Sequence, residues 1–423
     1  MYYIAQKPVE KSEVKEMKKI LFLFLITLQF ISCDMFYFSA SKADLAKVKS
    51  KTTYQSFEHL NDPIVIAMKV YDQKNLFGKE DWGNYVESHG NIFVILDWET
   101  DTVYDWVYTG EGPTFTNWRG MQVGENPKRY YISTWYSGAM CYISENETKP
   151  TTLYHKYPTF MRAYNIKTDY SILDGYRYNH EIENEELTYQ IFNAKTNEVS
   201  SKIHTIETDS IGYISNIGID PEGNFWVATM NHESSKEYVA SLWQIKSQTD
   251  ELIGPIKQYQ CQNAEASDDP NERILDYYAV DCVNDKYVFL KRGALGMYTH
   301  DTKIVLIDYK TEGYPEKVIT IPFDENVYLE KIIAVNNKIY LIFPGTSGSE
   351  YVEIRSLDLN SLEVSKESSF NFDYTENVWV RGSRIYFMSS RNPNNCYYTW
   401  YDTETKQQGE VFNLNFEDII YGK

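Results

Sequence analysis

From about residue 50 onward, the chain alternates between short apolar runs and clusters of polar, turn-forming residues. The runs are rich in Tyr, Ile, Val, Phe and Trp, and the clusters are rich in Gly, Asn, Asp and Pro. Hardly any stretch keeps a helical period of apolar residues for longer than two turns. Short apolar runs bounded by turn-forming residues are typical of β-strands. The pattern therefore predicts an all-β fold.

A four-residue polar element recurs seven times between consecutive apolar runs, at spacings of 48, 48, 53, 62, 50 and 44 residues. Each copy is predicted to form a hairpin turn, because an Asp or Asn at its first position can accept a hydrogen bond from the backbone two residues on. The copies are Asp97–Thr100, Glu145–Thr148, Asn193–Thr196, Lys246–Thr249, Asp308–Thr311, Asp358–Ser361 and Asp402–Thr405.

A second polar turn, followed by a buried strand, lies upstream of six of the copies, as in GNFWVA and NKIYLIF, and the best match for the first copy is NDPIVIA at Asn61–Ala67. Two turns per unit give four strands in roughly 50 residues, which is the size of a propeller blade. Blades arranged around an axis bury one another on both faces, which accounts for the 37 tyrosines. We predict one β-propeller of seven four-stranded blades, with six or eight as alternatives. The predicted blades are 51–110, 114–157, 158–207, 210–260, 274–323, 326–371 and 373–416.

Residues 17–33, MKKILFLFLITLQFISC, have the order of an export signal. Lys18 and Lys19 precede an apolar run that is too short to cross a bilayer, and Ser32 stands before Cys33. This order resembles a bacterial lipoprotein leader, with Phe30 where most such leaders carry Leu. The resemblance implies lipidation of Cys33 and anchoring to the bacterial envelope, on the periplasmic or the surface face of the outer membrane. The alternative is an ordinary cleaved signal followed by a chance cysteine.

The predicted organisation follows from this leader and from the repeats. Residues 1–16 are predicted to result from a start codon assigned too far upstream. They are followed by a signal peptide over 17–32, a tether over 33–50, the propeller over 51–416 and a C-terminal tail over 417–423.

The middle of the chain resembles known propeller repeats. ISNIGIDPEGNFWVAT, at Ile214–Thr229, is similar to the NHL repeat, and YYAVDCVNDKYVFLKRG and IIAVNNKIYLIF are similar to TolB-like propellers of secreted lipoproteins. The resemblance implies a propeller fold and brings no catalytic residue with it. DPEGNFWVAT also resembles repeats of metal-dependent propeller lactonases. In that family an Asp binds the metal five residues before the turn Asp, where this chain has Ser215.

The net charge of the chain argues against a nucleic-acid partner. It is −19, and it becomes −21 when residues 1–32 are removed, so we expect no nucleic-acid partner.

The cysteines bear on disulfides and metal sites. Cys261 and Cys282 flank a polar stretch and are candidates for a disulfide, whereas Cys141 and Cys396 lie in apolar runs and are expected to be buried free thiols. No CxxC or CxxH spacing occurs, and we expect no metal and no cofactor.

In propellers, the loops between second and third strands and those between blades gather on one face around the channel. On this chain those loops bring together five arginines and three aromatic residues, Arg119, Arg162, Arg177, Arg292, Arg391, Trp118, Trp135 and Tyr136. Guanidinium groups pair with carboxylate or phosphate, and aromatic faces stack on sugar rings, so we predict a ligand-binding rim there. The alternative is that each arginine donates to loop carbonyls or caps a neighbouring blade.

Two functions remain open on this basis. The favoured one is a monomeric, lipid-anchored, non-catalytic module that binds an envelope protein or a carbohydrate. The alternative is a hydrolase or lyase acting on a sugar-derived substrate in the channel. The seven histidines show no HxH or HExxH spacing, although His180, His232 and His300 fall on the predicted rim.

Overall fold

The computed structural model describes most of the chain from residue 37 onward as a seven-bladed β-propeller. The described residues are 37–61, 63–72, 88–110, 121–123, 127–133, 139–154, 160–163, 169–179, 184–206, 212–232, 237–262, 276–283, 286–294, 302–322, 329, 331–335, 338–344, 351–372, 377–392 and 395–422. Cys33 and the leader lie outside them.

Six blades are built from strands that follow one another in sequence and pair antiparallel. The second blade consists of β5 (Met121–Val123), β6 (Arg129–Ser133), β7 (Ala139–Ser144) and β8 (Thr151–Tyr154). The third consists of β9 (Phe160–Ala163), β10 (Tyr170–Asn179), β11 (Asn184–Asn193) and an outer edge divided into β12 (Glu198–Val199) and β13 (His204–Thr205). The fourth consists of β14 (Gly212–Ile219), β15 (Phe225–His232), β16 (Glu237–Ile245) and β17 (Leu252–Gln262).

The fifth to seventh blades repeat the same order from the innermost to the outermost strand. The fifth blade consists of β18 (Asp276–Val283), β19 (Tyr287–Ala294), β20 (Thr302–Asp308) and β21 (Glu316–Ile321). The sixth consists of β22 (Lys331–Val335), β23 (Lys338–Pro344), β24 (Val352–Leu357) and β25 (Val364–Phe370). The seventh consists of β26 (Asn377–Arg381), β27 (Arg384–Asn392), β28 (Asn395–Asp402) and β29 (Phe412–Asn415).

The first blade is assembled differently. Its second to fourth positions are β2 (Ile64–Asp72), β3 (Ser88–Asp97) and β4 (Thr102–Tyr108), and its innermost position is taken by β1 (Tyr37–Ala40), which runs parallel to β2. The predicted tether over 33–50 is corrected accordingly, because it contains β1 and a nine-residue helix, α1 (Lys42–Ser50). The first blade thus begins at Tyr37 and not at residue 51.

Residues 51–61, where the first blade was predicted to begin, form no strand of that blade. They pack along the outside of the first two blades instead. The backbone N–H groups of Tyr54 and Phe57 donate to the carbonyls of Thr148 and Glu145 in the second blade. Tyr54 and Phe57 are buried in the core between these blades.

Two short helices cap the chain ends of the ring. Ser41 begins α1 with a capping box, in which its Oγ accepts from the Asp44 N–H and Asp44 Oδ2 accepts from the Ser41 N–H. The predicted C-terminal tail over 417–423 is corrected as well, because α2 (Phe416–Tyr421) follows the last strand and buries Phe416 and Ile420. In the described part of the chain, neither helix is long and apolar enough to cross a membrane.

The core consists of seven apolar clusters, one between each pair of adjacent blades in the described part of the chain. Alternate side chains of one strand pack into the clusters on opposite faces of its blade. Ile64 and Ile66 of β2 pack toward the seventh blade, whereas Val65 and Ala67 pack toward the second. Since side chains alternate across a strand, a blade buried on both faces needs apolar residues at nearly every position. This explains the continuous apolar runs of the sequence.

All seven predicted hairpin turns join a third strand to the outermost strand of its blade, which confirms the seven-blade prediction. We call the side of the ring that carries these turns the turn face, and the opposite side, where the second strands end, the rim face. The turn carboxylates act as expected, as when Asp402 Oδ1 accepts from the backbone N–H groups of Glu404 and Thr405.

The fourth blade shows how a turn between first and second strands is fixed. Asp220 is buried and accepts hydrogen bonds from the Asn224 N–H at 2.9 Å and from Trp226 Nε1 at 3.1 Å. The resemblance of DPEGN to propeller repeats therefore has a structural basis, because this aspartate holds the turn closed.

The cysteines behave as thiols where the structure describes them. Cys141 and Cys282 are free and buried, so no disulfide joins Cys282 to Cys261. Cys282 lies at the turn-face end of the innermost strand β18, whereas Cys261 lies at the rim-face end of the outermost strand β17. A disulfide needs α-carbons within about 7 Å, which these positions do not allow. The side chain of Cys396 is outside the described residues.

Candidate functional site

Three of the predicted rim arginines lie at equivalent places in alternate blades. Arg177 and Arg292 are each third from the end of the second strand of their blade, and Arg391 is next to the end of β27. The second strands run toward the rim face, so these three backbone positions lie near that face in the third, fifth and seventh blades.

Arg162 is placed differently. It lies in the innermost strand β9, opposite the bulge between Ile172 and Leu173 of β10, whereas Arg177 pairs with Glu186 further along that strand. At about 3.3 Å per residue, Arg162 lies roughly 15 Å closer to the turn face than Arg177.

The other members of the predicted rim, Arg119, Trp118, Trp135 and Tyr136, lie outside the described residues, as do His180 and His300. His232 ends β15 at the rim face, and its side chain is not among those described. The structure therefore gives backbone positions near the rim face for three of the predicted arginines, and the binding rim as a whole stays a prediction.

A different arginine site lies on the turn face, where the seventh blade meets the first. The Arg384 guanidinium stacks on Trp400, with its central carbon 3.9 Å from the ring centroid, and lies 5.5 Å from the Trp98 ring centroid. Arg384 Nη1 also donates to the Trp98 carbonyl at 3.2 Å. We call Arg384, Trp98, Trp400 and Asp101 the seam cluster.

The other members hold this stack in place. Trp400 Nε1 donates to Asp101 Oδ2 at 3.2 Å, and Trp98 Nε1 donates to the Asn61 carbonyl at 2.6 Å. Gly409 lies so close to the Trp400 indole that a Cβ there would overlap it. The Trp400 ring is thus clamped between the backbone of its own blade and a guanidinium group.

Burial raises the pKa of Asp101, and the hydrogen bond from Trp400 and the charge of Arg384 oppose that rise only in part. The Arg384 nitrogens lie 3.8 Å from Asp101 and 3.9 Å from Asp402. Because its planar group stacks on Trp400 while Nη1 and Nε have partners within the protein, Arg384 is suited to joining two blades and not to binding a ligand.

Sequence reasoning missed the seam cluster because its parts are far apart along the chain. Trp98 lies in one of the repeated turns, and the arginine that bonds it is 286 residues away. No residue spacing signals such a pair. The only available hint was the presence of Trp at the second position of the first turn element.

The described side chains include no group of three or more His, Cys, Asp or Glu residues that could hold a metal ion. Two described histidines take part in packing. His59 contacts the Tyr104 ring edge-on, and His204 stacks on Tyr189 with its Nε2 3.3 Å from Asp250 Oδ2.

No protein-family profile matches this chain, and no curated protein matches its sequence. Solved structures with a similar fold include an oligogalacturonate lyase in complex with manganese, at 12% identity and a TM-score of 0.44, covering 66% of this chain and 72% of that chain. TolB from Acinetobacter baumannii is similar at 10% identity and a TM-score of 0.38, covering 82% of this chain and 81% of that chain.

A puromycin-hydrolyzing peptidase of Mycobacterium tuberculosis is similar at 10% identity and a TM-score of 0.49, covering 90% of this chain and 56% of that chain. This chain thus spans just over half the length of that peptidase. The similarity of all three concerns chain architecture and not activity.

Proposed function

We propose that this protein is a lipid-anchored propeller of the bacterial envelope that binds an anionic ligand on its rim face without transforming it. The observation that carries the proposal is the placement of Arg177, Arg292 and Arg391 near the rim-face ends of second strands in three alternate blades. A ligand spanning the ring would meet a positive group from several directions.

The chemistry favours a ligand that carries carboxylate or phosphate groups. Guanidinium groups bind such groups through paired N–H donors, and each charge-assisted hydrogen bond contributes about 1.5 to 3 kcal/mol. The chain as a whole is strongly acidic, with a net charge of −19, so an anion attracted to the rim arginines would be repelled by the rest of the surface. The proposed carrier of these groups is an acidic oligosaccharide or an envelope protein.

Binding is tested with a uronic-acid oligosaccharide and a neutral oligosaccharide of equal length, using isothermal titration calorimetry. We expect the acidic probe to bind more tightly. Replacing Arg177 and Arg292 by alanine should weaken it about ten-fold or more per arginine. Arg381→Ala is the matched control, because Arg381 ends the first strand of the seventh blade at the turn face. Equal affinity for both probes, or equal loss in the control, would contradict the proposal.

The same titration distinguishes the catalytic alternative. If the acidic oligosaccharide is shortened during incubation, and the arginine variants stop that cleavage, the protein is a hydrolase or lyase and not a binding module. Chromatography of the probe after incubation reports this outcome.

The anchor is tested separately by Cys33→Ala. We expect the parent protein to partition with membranes and the variant to be soluble after export, because buried acyl chains contribute about 0.8 kcal/mol per methylene. Equal partitioning of both proteins would show that Cys33 is not the anchor.

A further inference from the structure

Each blade ends in an outermost strand whose outer side has no neighbouring strand within that blade. The N–H and C=O groups along such an edge can pair with another chain, and proteins prevent this pairing with covering segments, bulges, prolines or short strands. The outermost strands that lack these features are therefore the places where the propeller can bind an extended partner.

In the described part of the chain, six of the seven blades have a blocked edge. β4 is covered by residues 51–56, where the Lys51 carbonyl accepts from the Tyr108 N–H. β8 and β29 have only four residues each, and the edge of the third blade is divided into the two-residue strands β12 and β13. β17 and β25 each pair with the neighbouring strand through a bulge, and β17 also contains Pro255.

The fifth blade keeps an open edge. Its outermost strand β21, EKVITI, pairs with β20 over six residues without a bulge, and its only charged residues are Glu316 and Lys317 at one end. No described element pairs with its outer side. Lys317, Val318 and Thr320 are exposed, and Val318 is 56% exposed. β21 can therefore accept a strand from another chain, and its exposed valine offers that strand an apolar contact.

An edge that is open in one copy of the protein is open in every copy, so two copies can pair through β21 about a two-fold axis. Residues directly opposite each other in an antiparallel pair share a face of the sheet, so the axis must pass through a residue and its own counterpart. With Val318 at the axis, Glu316 lies opposite Thr320 of the second copy, and Lys317 lies opposite Ile319. No like charges are opposed in this register, and the two valines cover each other.

The charges beside β21 complement each other in this register. Lys303 of β20 lies opposite Thr320, is exposed and has no carboxylate partner within the described part of the chain. The Glu316 carboxylate accepts from the Tyr259 hydroxyl at 2.6 Å, lies 3.9 Å from Lys257 and is still 35% exposed. Two strand spacings, about 10 Å, separate Lys303 from Glu316 of the second copy, and these long side chains can span that distance over the small threonine. The symmetry forms this ion pair twice.

The alternative register, with Ile319 at the axis, lacks this ion pair. It places Glu316 opposite Pro322 of the second copy, and proline has no N–H for the strand ladder. Ile319 is also already buried between the fifth and sixth blades, so its position at the axis would cover no exposed apolar side chain. Charge, backbone pairing and apolar burial therefore all favour the register with Val318 at the axis.

We infer that two copies of this protein associate through antiparallel pairing of their β21 strands, with Val318 at the two-fold axis. A single pair of strands buries less than the roughly 1,200 Å² of a stable interface, so we expect a dimer that dissociates on dilution. This dimer departs from the monomer expected from the sequence, which does not show which strand edges stay open. It requires neither the rim arginines nor lipidation of Cys33.

The proposed axis is tested by Val318→Cys in the full-length protein. Opposed α-carbons in an antiparallel pair lie about 4.5 to 5.5 Å apart, which is close enough for a disulfide. Under mild oxidation we expect a species of doubled mass, at several-fold higher yield than from the parent, whose native cysteines report the background. Thr320→Cys is the matched control, because its own counterpart in the second copy lies four residues along the strand, about 13 Å away.

The charge pairing is tested by further changes in the Val318→Cys protein. Lys303→Glu should lower the yield of the doubled species several-fold, because it places two carboxylates together, and the addition of Glu316→Lys should restore that yield. Equal yields from Val318→Cys, Thr320→Cys and the parent would overturn the dimer, as would a cross-link to a different protein in place of the doubled species. An unchanged yield with Lys303→Glu would overturn the proposed ion pair and its register.

Discussion

At the scale of single residues, Arg384 connects the first and last blades, whose sequences lie at opposite ends of the propeller. Its guanidinium covers Trp400 in its own blade and bonds the Trp98 carbonyl in the first blade. An arginine is suited to this position because its flat group can stack and donate at the same time, which an ammonium group cannot. Tyr386 supports the same junction by donating its hydroxyl to the Trp98 carbonyl at 3.1 Å.

Replacement of Arg384 by lysine should therefore destabilise the ring although the charge is kept. We expect a loss of about 1 to 2 kcal/mol in the free energy of unfolding, because a partly desolvated cation–π stack and a hydrogen bond are removed together. Urea unfolding measures the loss. Arg381→Lys, at the end of the neighbouring strand β26, is the matched control and should cost less. Equal losses would show that the stack contributes nothing specific.

Some residue-scale features could be predicted from the sequence and others could not. The turn residues Asp97, Asp308, Asp358 and Asp402 were identifiable because their hydrogen bonds go to backbone two or three residues on. The Arg384 stack was not, because it depends on how the first and last blades meet. The backbone positions of the three strand-end arginines follow from the local repeat, whereas the depth of Arg162 depends on a bulge in strand pairing. A shared binding role for these arginines stays a prediction.

At the scale of elements, the sixth blade contains a carboxylate held by three neighbours on its outer strands. Glu353 of β24 lies 2.5 Å from Arg355 Nε and 2.7 Å from Lys366 Nζ, and it accepts from the Tyr351 hydroxyl at 3.0 Å. Burial alone would raise the pKa of Glu353, but hydrogen bonds from Lys366 and Arg355 outweigh it and hold that pKa below 4.5. Glu145, in the second blade, is the opposite case, because burial raises its pKa above 4.5.

These two shifts predict opposite effects on acid stability. A carboxyl with a lowered folded-state pKa adds stability above its unfolded pKa, and that stability is lost as the pH falls through the folded pKa. Glu353→Gln should therefore flatten the loss of stability between about pH 5 and pH 3. Glu145→Gln should make it steeper, since it removes a group that favours the folded state when protonated. Urea unfolding across this pH range measures both slopes, and slopes that change in the same direction would contradict the assignment.

The hairpin repeat explains why element order was predictable here. Each turn couples local hydrogen bonding to two flanking apolar strands, so the information lies within about 20 residues of sequence. The first blade breaks that rule. Its innermost strand arrives from residues 37–40, in parallel, and the apolar residues of 51–61 cover the outside instead. Local pattern alone cannot reveal such a substitution of one segment for another.

At the scale of the whole molecule, the ring closes through elements that the repeat does not contain. The cluster between the seventh and first blades includes Val48 of α1 and Phe416 and Ile420 of α2, besides the strands of both blades. The Tyr421 hydroxyl donates to Asp44 Oδ1 at 2.8 Å, which connects positions 377 residues apart. The chain ends thus stabilise the one junction that has no covalent connection from blade to blade.

Ending the chain after Asn415 tests how much this closure contributes. The truncation removes Phe416 and Ile420, which are 1% and 2% exposed, and should lower the free energy of unfolding by about 3 to 6 kcal/mol, at about 1.5 to 3 kcal/mol for each buried side chain. Urea unfolding measures this loss. Limited proteolysis should also cut faster between residues 41 and 51, because α1 loses its neighbour. Tyr421→Phe is the matched control, since it keeps both apolar side chains and removes only the hydroxyl. If truncation and control behave alike, closure depends on the strands and the seam cluster, and α2 is a peripheral addition to the ring.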